Sequence, residues 1–374
     1  MSNSDVESQL FSAIENQDYE AARSLINDKP ELIDVCDDRN FGATPLVSAA
    51  FRGDLPMARL LIELGADANR CSDWEFGPWS PLHAAVYHGH NQLANWLLDQ
   101  GACLDLHVAA ALSRFDLIEQ LIADDQRAVH SLGGDGCTPL HFAGCPRAAA
   151  MLLAKDADIE ARCIDHHSTP LHYAAVRHPD VAKFLLRRGA VADLFSASLA
   201  GDIETIGHLI QHHAGILNQR LNQEAFPPSP SHDAHNIMTF TVGEDGTPLH
   251  AAAVGNQPAV IECLIKAGLD VDVRGGYDDA TPLHLAAWHD KLDAAQSLIS
   301  NGANIDVLSG DLHHNSPAGW AIVAGSANVF EYLIDQGAAL LDHFERDAQA
   351  AVEGQFAKFK RVPSLNYERI RQRI

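Results

Sequence analysis

The chain has 374 residues, with 26 Lys and Arg against 50 Asp and Glu, which gives a formal charge of −24 with neutral histidine. This charge disfavours a nucleic acid as a partner, because a polyanion would be repelled. With 47% hydrophobic and 20% charged residues the composition is that of a folded protein. No apolar run approaches the roughly 20 residues that span a bilayer, so no membrane partner is expected. The first ten residues predict no secretory signal, and we expect a cytoplasmic location.

The cysteines and histidines carry different information. The seven cysteines are odd in number and contain no Cys-x-x-Cys pair, so they indicate neither a disulfide framework nor a zinc ribbon. We interpret them as reduced thiols that pack as small apolar groups. The 21 histidines, against 26 Lys and Arg, are more than solubility requires and need a structural or functional explanation.

The first predicted element is a pair of short helices near the N-terminus, and two later stretches align with it. The three stretches are residues 9–26, 105–122 and 193–210. Their starts at Leu10, Leu106 and Leu194 lie 96 and 88 residues apart. This spacing predicts three tandem modules, each of which opens with a divergent helix pair.

Between these pairs, a string of the form Thr/Ser-Pro-Leu-His-x-Ala recurs with some substitutions. It begins at Thr44, Ser80, Thr138, Thr169, Thr247, Thr281 and Ser316. The hydroxyl group supplies an N-cap and the proline suits the first helical position. A Leu-rich stretch follows, and a glycine such as Gly189 ends the second helix where a left-handed cap is needed. Each string therefore predicts the start of a pair of short helices.

These strings resemble the signature of the ankyrin repeat, which has a period of about 33 residues. The resemblance covers most of the chain and implies an all-α solenoid with β-hairpin fingers. Seven such repeats and three divergent pairs predict an ankyrin-type array of about ten helix pairs. The resemblance also implies that the histidines of the strings hydrogen-bond neighbouring backbone or hydroxyl groups. These are His83, His141, His172, His250 and His284.

We expect five segments along the chain. They are an N-terminal capping pair over 1–36, repeats over 37–102, a second module over 103–190, a third over 191–338 and a C-terminal helical cap over 339–374. The third module has about 20 extra residues, which we place in a loop insertion near 219–241, where Pro227, Pro228 and Pro230 exclude helix. A loop of this length is either functional or disordered. The last 20 residues carry six basic groups and one acid, and their apolar residues favour a packed cap over a nucleic-acid or membrane tail.

In ankyrin-like proteins the ligand surface is usually the concave face, made of finger tips and the two positions after the inner-helix Ala-Ala. The candidate binding residues at these positions are Phe41, Arg52, Trp74, Phe76, Trp79, Tyr87, His88, Asp165, His166, His167, Arg177, Tyr277, Asp278, Asp279, Trp288, His289, His313 and His314. His232 and His235 of the insertion are added, because the curvature of the solenoid can bring them onto the same groove. Such a face is aromatic, acidic and rich in imidazole, and large aromatic side chains are favoured anchors for a partner. The alternative for Trp79 and Trp288 is that they pack against neighbouring fingers and stiffen the groove.

Neither a metal nor another cofactor is predicted, because a metal needs three or four ligands that converge at about 2.0–2.2 Å, and spacing alone does not show this. His107, His208, His212 and His213 lie in divergent pairs and are expected at the surface. The leading hypothesis is a scaffold that binds a protein or peptide on its concave face. The alternative is a hydrolase or lyase that uses carboxylates and histidines on a small polar or sugar-like substrate. The two differ in whether the insertion covers the groove and forms a ligand-sized pocket.

Overall fold

The computed structural model describes residues 3–228, 235–310, 315–341, 343–353 and 364–374. These residues divide into two compact units, which we call unit 1, ending at Pro170, and unit 2, starting at Leu171.

Unit 1 is a stack of helix pairs. Its α-helices are α1 (Asn3–Glu15), α2 (Tyr19–Asp28), α3 (Pro45–Phe51), α4 (Leu55–Glu63), α5 (Pro81–Tyr87), α6 (Asn91–Asp99), α7 (Leu106–Ala111), α8 (Phe115–Asp124) and α9 (Pro146–Leu153). The first helices of successive pairs pack on one another, α1 on α3, α3 on α5 and α5 on α7. In the fifth pair a 3-10 helix, Pro139–Phe142, replaces the first α-helix and packs on α7. Each pair thus buries its apolar side against the next pair, as in other repeat proteins.

Unit 2 continues the same pattern. Its α-helices are α10 (Pro170–Arg177), which begins at the unit boundary, α11 (Pro179–Arg187), α12 (Leu194–Ala200), α13 (Ile203–His212), α14 (Thr239–Val242), α15 (Pro248–Val254), α16 (Pro258–Lys266), α17 (Pro282–Trp288), α18 (Leu292–Ser300), α19 (Pro317–Ala324), α20 (Ala327–Asp335), α21 (Phe344–Val352) and α22 (Ser364–Arg371). Helices α12, α15, α17 and α19 pack in sequence. The described residues of both units together contain ten repeat helix pairs, one of which begins with the 3-10 helix, followed by the C-terminal pair α21 and α22. This confirms the predicted all-α repeat architecture.

The segments that precede the Thr/Ser-Pro caps are short turns, which we call fingers. In unit 1 they span residues 37–43, 72–79, 133–137 and 163–168, and one backbone hydrogen bond of 2.9–3.0 Å joins the two ends of each. Among the described residues β-bridges occur only singly, between Asp37 and Ala43 and between Gly275 and Ala280. The expected β-hairpins are therefore wrong, because turns this short, with left-handed residues such as Asp135 inside them, have no room for a second ladder pair.

Buried histidines join consecutive repeats, as the resemblance implies. The ring of His250 accepts a hydrogen bond from the backbone N–H of Thr247 at 3.2 Å and donates one to the carbonyl oxygen of Ala280, in the next finger, at 3.1 Å. His284 makes the equivalent bond to the carbonyl of Asn315 at 3.0 Å, and His141 to that of Ser168 at 3.1 Å. The predicted structural role of these three histidines is confirmed.

Two histidines of the strings instead face an aspartate, because the repeat that follows them is a divergent pair without a finger. Asp105 caps α7 by accepting the N–H of Val108 at 3.0 Å, and its other oxygen lies 2.8 Å from Nε2 of His83. Burial alone would raise the pKa of Asp105, but hydrogen bonds from His107 and His83 outweigh it and hold the pKa well below 3.8. The expected surface position of His107 is wrong, since its side chain is buried beside this carboxylate.

Asp193 has the same two roles in unit 2 that Asp105 has in unit 1, as a helix cap and as the partner of a histidine. Its carboxylate accepts the N–H of Ser196 at 2.7 Å at the start of α12, and lies 3.5 Å from Nε2 of His172. An aspartate N-cap therefore replaces both the missing Thr-Pro cap and the missing finger carbonyl at each of these two repeats.

The described ends of the predicted insertion pack into unit 2. Leu221 is fully buried and exchanges backbone hydrogen bonds with Asp245 and Gly246. On the other side, the Asn236 side-chain amide contacts Nδ1 of His172 at 2.9 Å. The expectation of a loop throughout 219–241 is wrong at its end, where the short helix α14 forms and buries Thr239 and Val242.

The C-terminal helices cap unit 2. Tyr367 and Ile370 of α22 are buried, and α22 packs on α20. Arg369 forms an ion pair with Glu331 at 2.7 Å, and Arg373 pairs with Asp335. The basic face of α22 is thus paired with acids of the last repeat, in agreement with the predicted cap. None of the helices in the described ranges has the length and apolar character to cross a membrane.

The buried histidines make stability depend on pH. Burial lowers the pKa of both His250 and His284 from 6.5 to about 4. Between these values the unfolded chain binds protons that the folded chain does not, so stability is full above pH 6.5 and falls as the pH decreases toward 4. We expect a change from pH 7 to pH 5 to lower the free energy of unfolding by roughly 2 kcal/mol for each histidine.

Urea unfolding at the two pH values, followed by circular dichroism, measures this loss. The His250→Asn variant lacks one titrating ring and should show a smaller pH dependence than the parent chain. An equal dependence in both proteins would contradict the assignment.

Candidate functional site

The twenty predicted binding residues are distributed over both units. Unit 1 contains Phe41, Arg52, Trp74, Phe76, Trp79, Tyr87, His88, Asp165, His166 and His167. Unit 2 contains Arg177, His235, Tyr277, Asp278, Asp279, Trp288 and His289. The remaining three, His232, His313 and His314, lie outside the described residues.

Three of these residues form an aromatic strip on the first two fingers of unit 1. The ring of Trp74 contacts Phe41 at 5.3 Å and Phe76 at 5.1 Å between centroids, both in edge-to-face geometry. Phe41 is 47% exposed, and the other two rings are half-buried. The backbone N–H of Asp73 donates to the carbonyl of Gly42 at 3.0 Å, which ties the two fingers together. The strip is therefore a fixed and partly exposed apolar surface.

A second aromatic group lies in the interior. Trp79 is only 2% exposed and contacts Tyr87 at 4.7 Å and Phe51 at 5.2 Å. Its indole N–H donates to the Asp135 carboxylate at 2.8 Å. The prediction of Trp79 as an exposed anchor is therefore wrong, and the packing alternative describes it. His88, which follows the last residue of α5, is exposed.

Arg52 and His167 take part in hydrogen bonds in which a backbone carbonyl group is the acceptor. A guanidinium N–H of Arg52 donates to the carbonyl of Glu15 at 2.7 Å, which links α3 to α1. The carbonyl of His167 accepts a bond from Arg162 at 2.8 Å, and His167 itself has a left-handed backbone. Both contacts lie within unit 1.

Two carboxylates and an imidazole meet between the second, third and fourth fingers. Nε2 of His166 lies 3.6 Å from Oδ2 of Asp135 and 3.8 Å from Oδ2 of Asp165. The indole N–H of Trp74 donates to Asp165 at 3.2 Å, as that of Trp79 does to Asp135. Asp165 is 3% exposed, so its predicted place on the exposed face is wrong. We call Asp135, Asp165 and His166 the carboxylate–imidazole cluster.

The backbone of three fingers positions this cluster. Asp135 has a left-handed φ of 56°, donates its N–H to the carbonyl of Gly77 at 3.1 Å, and accepts the N–H groups of Ile164 and Asp165 at 3.0 and 3.1 Å. Gly77 has a φ of 137°, and a Cβ there would lie 2.0 Å from the backbone nitrogen of Gly136. Only glycine permits this approach of the second finger to the third.

Sequence reasoning missed Asp135. The sequence did contain an indication of its importance, because Asp135 stands between Gly134 and Gly136 in a finger just before a Thr-Pro cap. One donor atom from each residue of the carboxylate–imidazole cluster lies within 4.8 Å of the others, a donor set that could hold a metal ion. His83, Asp105 and His107 form a second such group.

The unit 2 residues do not form an equivalent cluster within the described part of the chain. Tyr277 is 47% exposed, its hydroxyl donates to the carbonyl of Thr239 at 3.0 Å, and burial of part of the ring raises its pKa. The carboxylate of Asp278 accepts the hydroxyl of Ser309 at 3.0 Å. The ring of Trp288 is half-buried, with Trp320 at 5.8 Å.

The remaining unit 2 residues lie apart along the chain. Arg177 is the last residue of α10, His289 follows α17, and Asp279 is exposed at its finger. Nδ1 of His235 lies 3.9 Å from a carboxylate oxygen of Glu244.

Unit 2 also contains a cavity of about 650 Å³ beside the start of the insertion. Its lining includes Asp193, His213, Arg220 and Glu224. None of the seventeen predicted residues that the structure describes lines this cavity, so it is not the groove that the sequence suggested.

Comparison with known proteins places the repeats in a family. The family model for ankyrin repeats matches three segments, residues 10–105, 106–196 and 194–309. The ankyrin repeat and SAM domain-containing protein 6 of Rattus norvegicus is 32% identical over 123 residues, which are 33% of this chain and 13% of that protein. Its Mus musculus counterpart is also 32% identical over 123 residues, 33% of this chain and 14% of that protein.

A third relative, the 2-5A-dependent ribonuclease of Mus musculus, is 45% identical over 58 residues, 15% of this chain and 8% of that protein. The chain thus matches only small parts of the relatives named here.

The two indole bonds differ in burial, which predicts different costs of removal. Trp79→Phe removes the N–H donor to Asp135 in the interior, and we expect a loss of about 1–3 kcal/mol in the free energy of unfolding. Trp74→Phe should cost less, about 1 kcal/mol, because the Trp74 bond to Asp165 is longer, at 3.2 Å against 2.8 Å, and only partly buried. Urea denaturation measures both values, and equal losses would show that burial does not decide the energetics.

Proposed function

Because the chain belongs to the ankyrin repeat family, whose repeats generally mediate protein–protein interaction, we propose that it is a binding scaffold whose aromatic strip receives a peptide segment of a protein partner. The observation that carries the proposal is the partly exposed, edge-to-face arrangement of Phe41, Trp74 and Phe76.

The strip is suited to binding because it is already ordered. Edge-to-face contacts fix the three rings, and the bond between Asp73 and Gly42 fixes the fingers that carry them. A preorganised aromatic surface loses little conformational entropy when a partner covers it, so more of the buried area contributes to affinity. Interfaces commonly derive most of their affinity from a few such aromatic residues.

The charges around the strip favour a basic segment. Asp38, Asp73 and Glu75 are exposed on the same two fingers, and Arg70 pairs with Asp73 at 3.3 Å. The chain as a whole has a formal charge of −24. The partner segment therefore carries Lys or Arg beside one or two apolar side chains, and electrostatic attraction accelerates its association.

The predicted residues of unit 2, including Tyr277, Trp288 and His289, are proposed as further partner contacts. Their support is weaker than that of the strip, because among the three only Tyr277 is largely exposed.

A displayed library of random dodecapeptides, selected on the full chain, tests the proposal. We expect enriched peptides that combine Lys or Arg with an aromatic or aliphatic residue, and Phe41→Ala should weaken their binding at least tenfold, a typical loss for an aromatic anchor. Raising the salt concentration should also weaken binding.

Leu132→Ala is the matched control, because Leu132 is 58% exposed in the same unit but lies outside the strip. Binding that survives Phe41→Ala and is lost in the control would place the contact elsewhere. Selected peptides without basic residues would contradict the charge argument.

A further inference from the structure

We infer that the carboxylate–imidazole cluster is a binding site for a divalent transition-metal ion, with Nε2 of His166, Oδ2 of Asp135 and Oδ2 of Asp165 as ligands. The inference concerns unit 1 alone and does not depend on the identity of the protein partner. Zn²⁺ is the ion with which it is tested, since it accepts imidazole and carboxylate ligands together.

The distances are those of ligands around a metal rather than of hydrogen-bond partners. At 3.6 and 3.8 Å, the imidazole nitrogen is too far from either carboxylate oxygen for a hydrogen bond. Two ligands at about 2.0–2.2 Å from a tetrahedral ion are separated by roughly 3.3–3.6 Å. All three atoms lie within 4.8 Å of one another, so a contraction of the cluster by about 1 Å would let them coordinate one ion.

Both carboxylates accept an indole N–H. Trp79 donates to Oδ1 of Asp135 at 2.8 Å, which is not the proposed ligand atom, whereas Trp74 donates to the proposed ligand atom Oδ2 of Asp165 at 3.2 Å. Such outer contacts fix the direction of a ligand and are often as important for affinity as the ligand itself. Asp135 and Asp165 are 6% and 3% exposed, which shields the site from competing water.

The backbone restricts how far the ligands can move apart. Asp165 donates its own N–H to the carbonyl of Asp135 at 3.1 Å, so the two carboxylates are joined through their main chains. His166 is the next residue after Asp165, in the fourth finger. An ion at this position would link the third finger to the fourth and so join two consecutive repeats.

The second group of this kind provides a contrast within the same unit. Nε2 of His83 is 2.8 Å from Oδ2 of Asp105, a normal hydrogen bond, and Nδ1 of His107 is 3.3 Å from the same oxygen. A metal ion would have to break the shorter bond, and Nε2 of His107 is already directed at the carbonyl of Cys137 at 3.1 Å. We therefore expect this group to bind no metal.

Calorimetric titration of the chelator-treated full chain with Zn²⁺ at pH 7.5 tests the site. We expect one saturable ion per chain with micromolar or tighter affinity, and a loss of at least tenfold in His166→Ala and Asp135→Asn. Trp74→Phe removes the outer donor to Asp165 and should weaken binding by about 10–100-fold. Asp105→Asn is the matched control and should leave the affinity unchanged.

Substitution with Co²⁺ identifies the ligand atoms by absorption. The seven cysteines are free, and none of them belongs to the proposed ligand set. We expect a Co²⁺ spectrum without a thiolate charge-transfer band. If the Asp135→Asn variant does not show the circular dichroism spectrum of the folded chain, the site is tested with the His166→Ala variant instead.

A thiolate band would overturn the inference, as would an affinity that is unaffected by His166→Ala or a loss of binding in the Asp105→Asn control. The absence of saturable binding up to millimolar Zn²⁺ would also overturn it and leave His166 as an ion-pair partner of the two aspartates.

Discussion

The hydrogen bond between a buried histidine of one repeat and the backbone of the next is the interaction on which this architecture depends. A helix pair of this size cannot bury its apolar side alone, so each pair needs a neighbour in a fixed register. His141, His250 and His284 provide it, because each ring is held by its own Thr-Pro cap and reaches the carbonyl of the following finger. Where the finger is missing, Asp105 and Asp193 replace the carbonyl and also cap the next helix.

The fingers show how little regular structure such a linkage requires. One hydrogen bond closes each turn, and single backbone bonds then join one finger to the next, as between Gly42 and Asp73 or between Gly77 and Asp135. Left-handed residues at the tips turn the carbonyl groups toward the neighbouring finger. The side chains on these turns are consequently held by several repeats at once, although the turns contain no β-ladder in the described ranges.

Trp74 connects the two surfaces discussed above. Its ring is the centre of the aromatic strip, while its indole N–H reaches the Asp165 carboxylate of the carboxylate–imidazole cluster. An ion that fixes Asp165 would also restrict the indole, and a partner on the strip would restrict it from the other side. The proposed metal site and the proposed partner surface thus share one side chain, that of Trp74.

The sequence by itself determined the repeat architecture, the number of helix pairs and the role of three string histidines, because helix caps and apolar periodicity are local features with few alternatives. It also indicated aromatic fingers, since those residues lie at fixed offsets from each cap. Only the tertiary structure decided that Trp79 is buried while Phe41 is exposed. Only the tertiary structure also brings Asp135 together with Asp165 and His166, although Asp135 lies 30 residues before Asp165 in the chain. The reason is that the approach of separate fingers depends on contacts such as that of Gly77 with the third finger, and no local sequence pattern encodes these contacts.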